Sequence, residues 1–272
     1  MFFYYNIMDL VEYNELPEWY KNNEYIITGY RKPDNNIKNC LTSMFHIHNE
    51  TFNIWSHLLG GIIFLILIGI TFLENLNITN KLILTGYCLF IMFALFASAS
   101  YHTFMHHSHE IQTKCILIDY QGVVFIIFAS SSILIYNTFH QYIMLLIIYI
   151  SIIAFVSSLI SIMIHDSKWN NIERKPFRAL IFALQSACLI VPVVHGCFIS
   201  DIYSLLLLAL GLVLGINGIG GAFYATKFPE IIYSNPTLDH IGNSHNIMHV
   251  FILIASIVHF FVMKYIMNYL EK

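Results

Sequence analysis

From residue 51 onward, long apolar runs alternate with short polar interruptions, and the runs fall at 51–73, 82–104, 115–136, 141–164, 177–199, 203–224 and 245–268. Each is about as long as the roughly 20 residues a helix needs to cross a bilayer. The interruptions at 137–140 and 200–202 leave room only for tight helical hairpins. Residues 1–49 break the pattern: they are polar and aromatic, with Pro17 and Pro33 interrupting any long helix, and too few to hold a core of their own. The expected architecture is an all-α integral membrane protein. A seven-transmembrane helix bundle over 50–272 follows a cytosolic or interfacial segment over 1–49. Pro192 should kink the fifth span. The sixth carries Gly211, Gly215, Gly218, Gly220 and Gly221, and its GxxxG step (Gly211 to Gly215) is expected to let this helix cross its neighbours closely rather than to form a dimer.

Composition agrees with the pattern. The 272 residues are 57% hydrophobic and only 11% charged, with a mean hydropathy of +0.67. That is less than half the charge of an average soluble domain, about 25%. A net charge of −3 and the absence of any Lys/Arg block exclude a nucleic-acid partner. The five cysteines form no CxxC, and Cys88, Cys188 and Cys197 lie inside apolar runs, so they read as small buried hydrophobes. The first ten residues lack a basic stretch followed by an apolar one, which leaves the first span as the insertion signal.

The basic residues set an orientation. Lys21, Arg31, Lys32, Lys38, Lys114, Lys168, Arg174, Lys175, Arg178 and Lys227 fall on one side, against Lys81, Lys264 and Lys272 on the other. Positive residues favour the cytosol. The amino terminus is expected inside and the carboxyl terminus outside, in a multi-pass protein whose particular membrane the sequence does not specify.

In this topology a few ionisable residues share one level. Ser98 and His102 stand i,i+4 at the inner end of the second span, Asp119 at the inner start of the third, and His245 and His249 i,i+4 in the first turns of the seventh. Two histidines a turn apart with a third from another helix make a three-histidine metal site, and a carboxylate beside them can hold the metal's water. Ionisable groups at membrane depth are costly and point to function. The plainer readings are helix-end histidines at an interface, an aspartate on a helix dipole, and a serine bonded to its own i−4 carbonyl. His106, His107 and His109 read as solvated loop histidines, and His46, His48 and Glu50 as capping or packing residues near the cytosolic mouth. His57 has no partner pattern.

The chain resembles the progestin and adipoQ receptor family, in its adiponectin-receptor-like branch, which is related to haemolysin III and alkaline ceramidases. The resemblance runs from Gly29-Tyr30-Arg31 through Phe45–Gly60, Ser98-x-x-x-His102-Thr103, Asp119-Tyr120-Gln121-Gly122 and Pro229-Glu230 to Ser244–Val250. It implies a seven-helix fold with the amino terminus inside. It also implies Zn2+ on His102, His245 and His249, with Asp119 holding the zinc-bound water and Ser98 supporting the site. The expected function is hydrolysis of a ceramide-like lipid amide bound in an interhelical cavity, linked to lipid metabolism or signalling. The alternative is a signalling receptor with a structural zinc and no hydrolase activity; a haem protein and a transporter are weaker readings. The outer loops offer too little surface for the roughly 800 Å² a specific protein partner needs, so a large protein hormone is not expected, and any extracellular ligand stays unnamed.

Overall fold

The computed structural model describes residues 9–166 and 175–272. Lys168 and Arg174, which entered the orientation argument, lie outside the described residues. The first described segment forms a two-strand antiparallel ladder, β1 (Leu10–Val11) with β2 (Tyr30–Arg31), around two single 3₁₀ turns, and then α1 (Ile37–Ser43). The seven apolar runs follow as α2 (Thr51–Leu73), α3 (Ile78–Phe104), α4 (His109–Phe139), α5 (Ile143–His165), α6 (Lys175–Ala187) with α7 (Ile190–Ile199), α8 (Tyr203–Thr226) and α10 (Ser244–Leu270). A short α9 (Pro236–His240) lies between the last two.

Several helices outrun their apolar cores because polar residues cap them. Asn77 accepts a hydrogen bond from the Asn80 backbone and starts α3 before Lys81; Ser108 accepts one from Ile111 and starts α4 before the Glu110–Lys114 pair. Such caps satisfy orphan N–H groups that lipid cannot. The fifth span is broken between Ala187 and Ile190. Pro192 has no N–H to give the carbonyl of Cys188 four residues back, which is where the break lies.

The apolar core occupies the half of the bundle where α3 begins and α10 ends, around Phe64, Leu84, Ile91, Leu134, Phe139, Phe260 and Met263. At that end Glu271 accepts from the Asn77 backbone and the Asn80 side chain, so the last turn of α10 caps the first of α3. The other end is covered by the amino-terminal segment, whose Leu16, Tyr20, Ile26 and Tyr30 bury against Tyr101 and Met105 of the α3 end. Arg31 lies fully buried beneath it and donates to the carbonyls of His102 (2.5 Å) and Thr103 (3.1 Å) and to Ser43 Oγ (2.8 Å). These are carbonyls that the end of a helix leaves without partners.

Two glycines show where backbones touch. A Cβ on Gly122 would stand 2.8 Å from the Ala94 Cα, so α3 and α4 approach closely one turn from Ser98 and Asp119. On α8 only Gly220 is tight, 2.6 Å from the Phe251 Cβ of α10. The expected close crossing at Gly211 and Gly215 is not formed among the described residues. A Cβ at either, or at Gly218 or Gly221, would meet nothing within 4 Å, because these positions lie on faces of α8 turned away from α10.

Candidate metal centre

The centre is built where α2 and α10 begin and α3 ends. Alpha-helix α10 starts on an Asn243 cap: Asn243 Oδ1 accepts from Asn246 N, and Asn246 Oδ1 accepts from Gly242 N, which ties the residue before the cap to the first turn. Buried Glu230 adds a carboxylate at the same helix start, accepting from Ser244 N (2.7 Å) and from the Ser244 hydroxyl. An anion at that point suits the helix dipole. The first turn of α10 is thus fixed, and it carries His245 and His249.

His102, His245 and His249 converge so that one ligand atom from each lies within 4.8 Å of the others. His102 and His249 are buried and His245 is half-buried. Ring centroids stand 4.7 to 5.1 Å apart. His245 Nε2 and His102 Nε2 are 3.3 Å from each other. Two nitrogens on one tetrahedral zinc, each about 2.0–2.1 Å from it, are separated by about 3.3–3.4 Å. The donor set and its spacing fit the ion.

The far sides of two imidazoles are held. His102 Nδ1 is 2.8 Å from Glu50 Oε2, which also accepts from Asn53 Nδ2 at 2.7 Å; Asn53 Oδ1 in turn accepts from Asn246 Nδ2 at 2.8 Å. One polar chain therefore runs from α10 through α2 to α3. Burial raises the pKa of the Glu50 carboxyl, but its contacts with the His102 ring and the Asn53 amide favour the ionised form and hold the group below the usual carboxylate range. A carboxylate on Nδ1–H fixes the tautomer that presents Nε2 to a metal. His249 Nδ1 is 3.5 Å from Ser56 Oγ, and its ring stacks on His57 at 3.8 Å and 16°.

Asp119, half-buried on α4, lies within electrostatic reach of His102 and Ser98, one turn from the close α3–α4 approach at Gly122. All five residues singled out by spacing thus come to one region. Glu50, Asn53, Ser56 and His57 were not assigned to it, although Glu50–His57 lies inside the stretch that carries the family resemblance. Their contacts reach 52 to 193 residues along the chain, beyond the range of helical periodicity.

A sequence model described as haemolysin-III related matches residues 45–260. "ADIPOR-like receptor IZH1" of Eremothecium gossypii is 27% identical, over 93% of this chain and 83% of its own length. "Heptahelical transmembrane protein 1" of Arabidopsis thaliana is 30% identical, over 93% and 79%. "Adiponectin receptor protein" of Drosophila melanogaster is 28% identical over 91% of this chain, which spans 57% of that longer protein.

Proposed function

Because the chain belongs to the haemolysin-III-related family, in its adiponectin-receptor-like branch, we propose that this seven-helix membrane protein is a zinc-dependent hydrolase of a ceramide-like lipid amide, linked to lipid signalling. The observation that carries the reading is the convergence of His102, His245 and His249 beside Asp119 at one end of the bundle. Zinc bound there would polarise the amide carbonyl and bring the pKa of a water toward about 7.

The chain's own residues do the rest. Glu50 holds the His102 ring and Ser56 the His249 ring, so that three neutral nitrogens share one centre. Asp119 orients the attacking water and takes its proton, and the Ser98 hydroxyl fixes the Asp119 carboxyl. A lipid amide suits this depth, since its polar linkage lies at headgroup level while its chains run between helices. With the amino terminus inside, that level is the cytosolic leaflet.

The experiment is fatty-acid release from a panel of lipid amides by zinc-loaded, folded protein. Asp119→Asn keeps a hydrogen-bonding amide but cannot take a proton, and should lower the rate by about 10² to 10⁴. Cleavage no faster than a zinc-stripped control, or an Asp119→Asn variant as active as the wild type, would favour the second reading. In that reading zinc fastens helices in a signalling receptor. The Asn246–Asn53–Glu50–His102 chain supports it, because it already ties α10, α2 and α3 together.

A further inference from the structure

A second group of ligating side chains lies outside the bundle site. Asp34, Cys40 and His106 each offer one ligand atom, all within 4.8 Å of one another. We propose that they form a second metal site, between the amino-terminal segment and the α3–α4 link, for a borderline-soft divalent transition-metal ion of the zinc class.

The geometry suits an ion. Cys40 Sγ stands 3.6 Å from His106 Nε2. Sulfur and nitrogen bound to one tetrahedral zinc at about 2.3 Å and about 2.0–2.1 Å would be about 3.5–3.6 Å apart. Cys40 and His106 are buried while Asp34 is exposed, so an ion can arrive from water and meet two ligands on the dry side. His106 is 2% exposed, which corrects its reading as a solvated loop histidine, and its Nδ1 has no hydrogen-bond partner among the described residues. Thiolate, imidazole and carboxylate together select a zinc-like ion over the hard, all-oxygen preference of calcium or magnesium.

The local chain is built to hold these three in place. Asn36 caps α1, which carries Cys40, by accepting from the Lys38 and Asn39 backbones. Asp34 accepts from Asn36 N (3.0 Å) and Asn39 Nδ2 (2.6 Å), which fixes its carboxylate against the same helix start. Asn35 takes a left-handed conformation (φ 53°) and donates its N–H to the His107 carbonyl at 3.1 Å, pinning the Asp34 loop to the neighbour of His106. Burial, with Arg31 nearby, pushes the His106 pKa down to about 2, leaving the neutral imidazole that ligates. Burial pushes the Cys40 thiol up to about 11 despite the nearby Arg31 charge, which the carbonyls of His102 and Thr103 partly absorb, so Cys40 ligates only as a bound ion displaces its proton.

Cobalt(II) tests the site, because a thiolate ligand gives a near-ultraviolet charge-transfer band and three imidazoles do not. Full-length protein loaded with cobalt should show the band. Cys40→Ser should abolish it with the loss of one metal per chain, and Cys115→Ser, a thiol elsewhere in the protein, should retain it. His245→Ala/His249→Ala should lose the bundle metal and keep the band, so failure of either site is seen separately. Asp34→Asn alters only an exposed side chain and guards against misfolding of the Cys40 variant. It should bind cobalt more weakly by at least the roughly tenfold that even outer partners of a metal are worth. Absence of the band in folded wild type would mean a thiol–imidazole hydrogen bond only and would overturn the proposal. So would a band that survives Cys40→Ser, or unchanged affinity in Asp34→Asn.

Discussion

The two helices α10 and α8 pack along each other, yet they are held in opposite ways. Both ends of α10 are tied by side chains from elsewhere in the chain. Glu230 and Asn53 bind its first turns, and Glu271, the residue that ends it, reaches back to α3. On α8, by contrast, Asn217 bonds to the Val213 carbonyl and Thr226 to the Ala222 carbonyl of the same helix, and four of its glycines face open space among the described residues. A histidine pair on α10 is positioned by the whole bundle, whereas the face of α8 that carries Gly211 and Gly215 is open to meet lipid. The polar bonds are concentrated where metal ligands must be aimed.

The contrast can be broken from the strongly tied side first. Glu50→Ala removes the carboxylate behind His102, and zinc affinity should fall about 10- to 100-fold, as for other partners behind a metal ligand; Glu50→Gln, which still accepts a hydrogen bond, should fall less. Competition with a chelator of known affinity measures both. Unchanged zinc affinity in Glu50→Ala would mean the His102 ring is aimed by packing alone. Next, Gly122→Ala drives a methyl group into the Ala94 backbone and should cost about 1–3 kcal/mol, as overpacking does. A lowered thermal midpoint in detergent reports it. On α8 the sign reverses. Gly211→Ala or Gly215→Ala adds a methyl group that meets nothing and removes a flexible residue from a helix, so stability should rise by about 0.5–1 kcal/mol. A fall of similar size at Gly211 would show that this face is covered in the folded protein.

Much of this was legible in the sequence. Six of the seven apolar runs are single long helices and the fifth is the broken pair α6–α7, and the i,i+4 spacings Ser98/His102 and His245/His249 bring the candidate ligands to one level because a membrane fixes where each helix ends. The break near Pro192 follows from one missing N–H. The helices α3 and α4 begin at Ile78 and His109, ahead of the apolar runs at 82 and 115, since caps and an i,i+4 ion pair make polar turns helical beyond an apolar core. The role of Glu50 was not legible. Its partner lies 52 residues away, and a glutamate before a helix has an adequate local explanation in capping. The same holds for His57, whose partner is a ring 192 positions on, and for Arg31, whose basic charge served the orientation argument while its side chain is buried in carbonyls. The GxxxG step misled because the pattern states that two backbones can approach, and not that a second backbone is present.

The account rests on His102, His245 and His249 holding a zinc ion together. The direct measurement is zinc content per chain of purified, folded wild type and of the His245→Ala/His249→Ala variant, both prepared in the Cys40→Ser background so that the second site does not contribute. Losing two of three ligands leaves one imidazole, which cannot hold the ion. Close to one zinc per chain in the parent and close to none in the variant is the predicted result; a variant that keeps the parent's zinc would contradict the account.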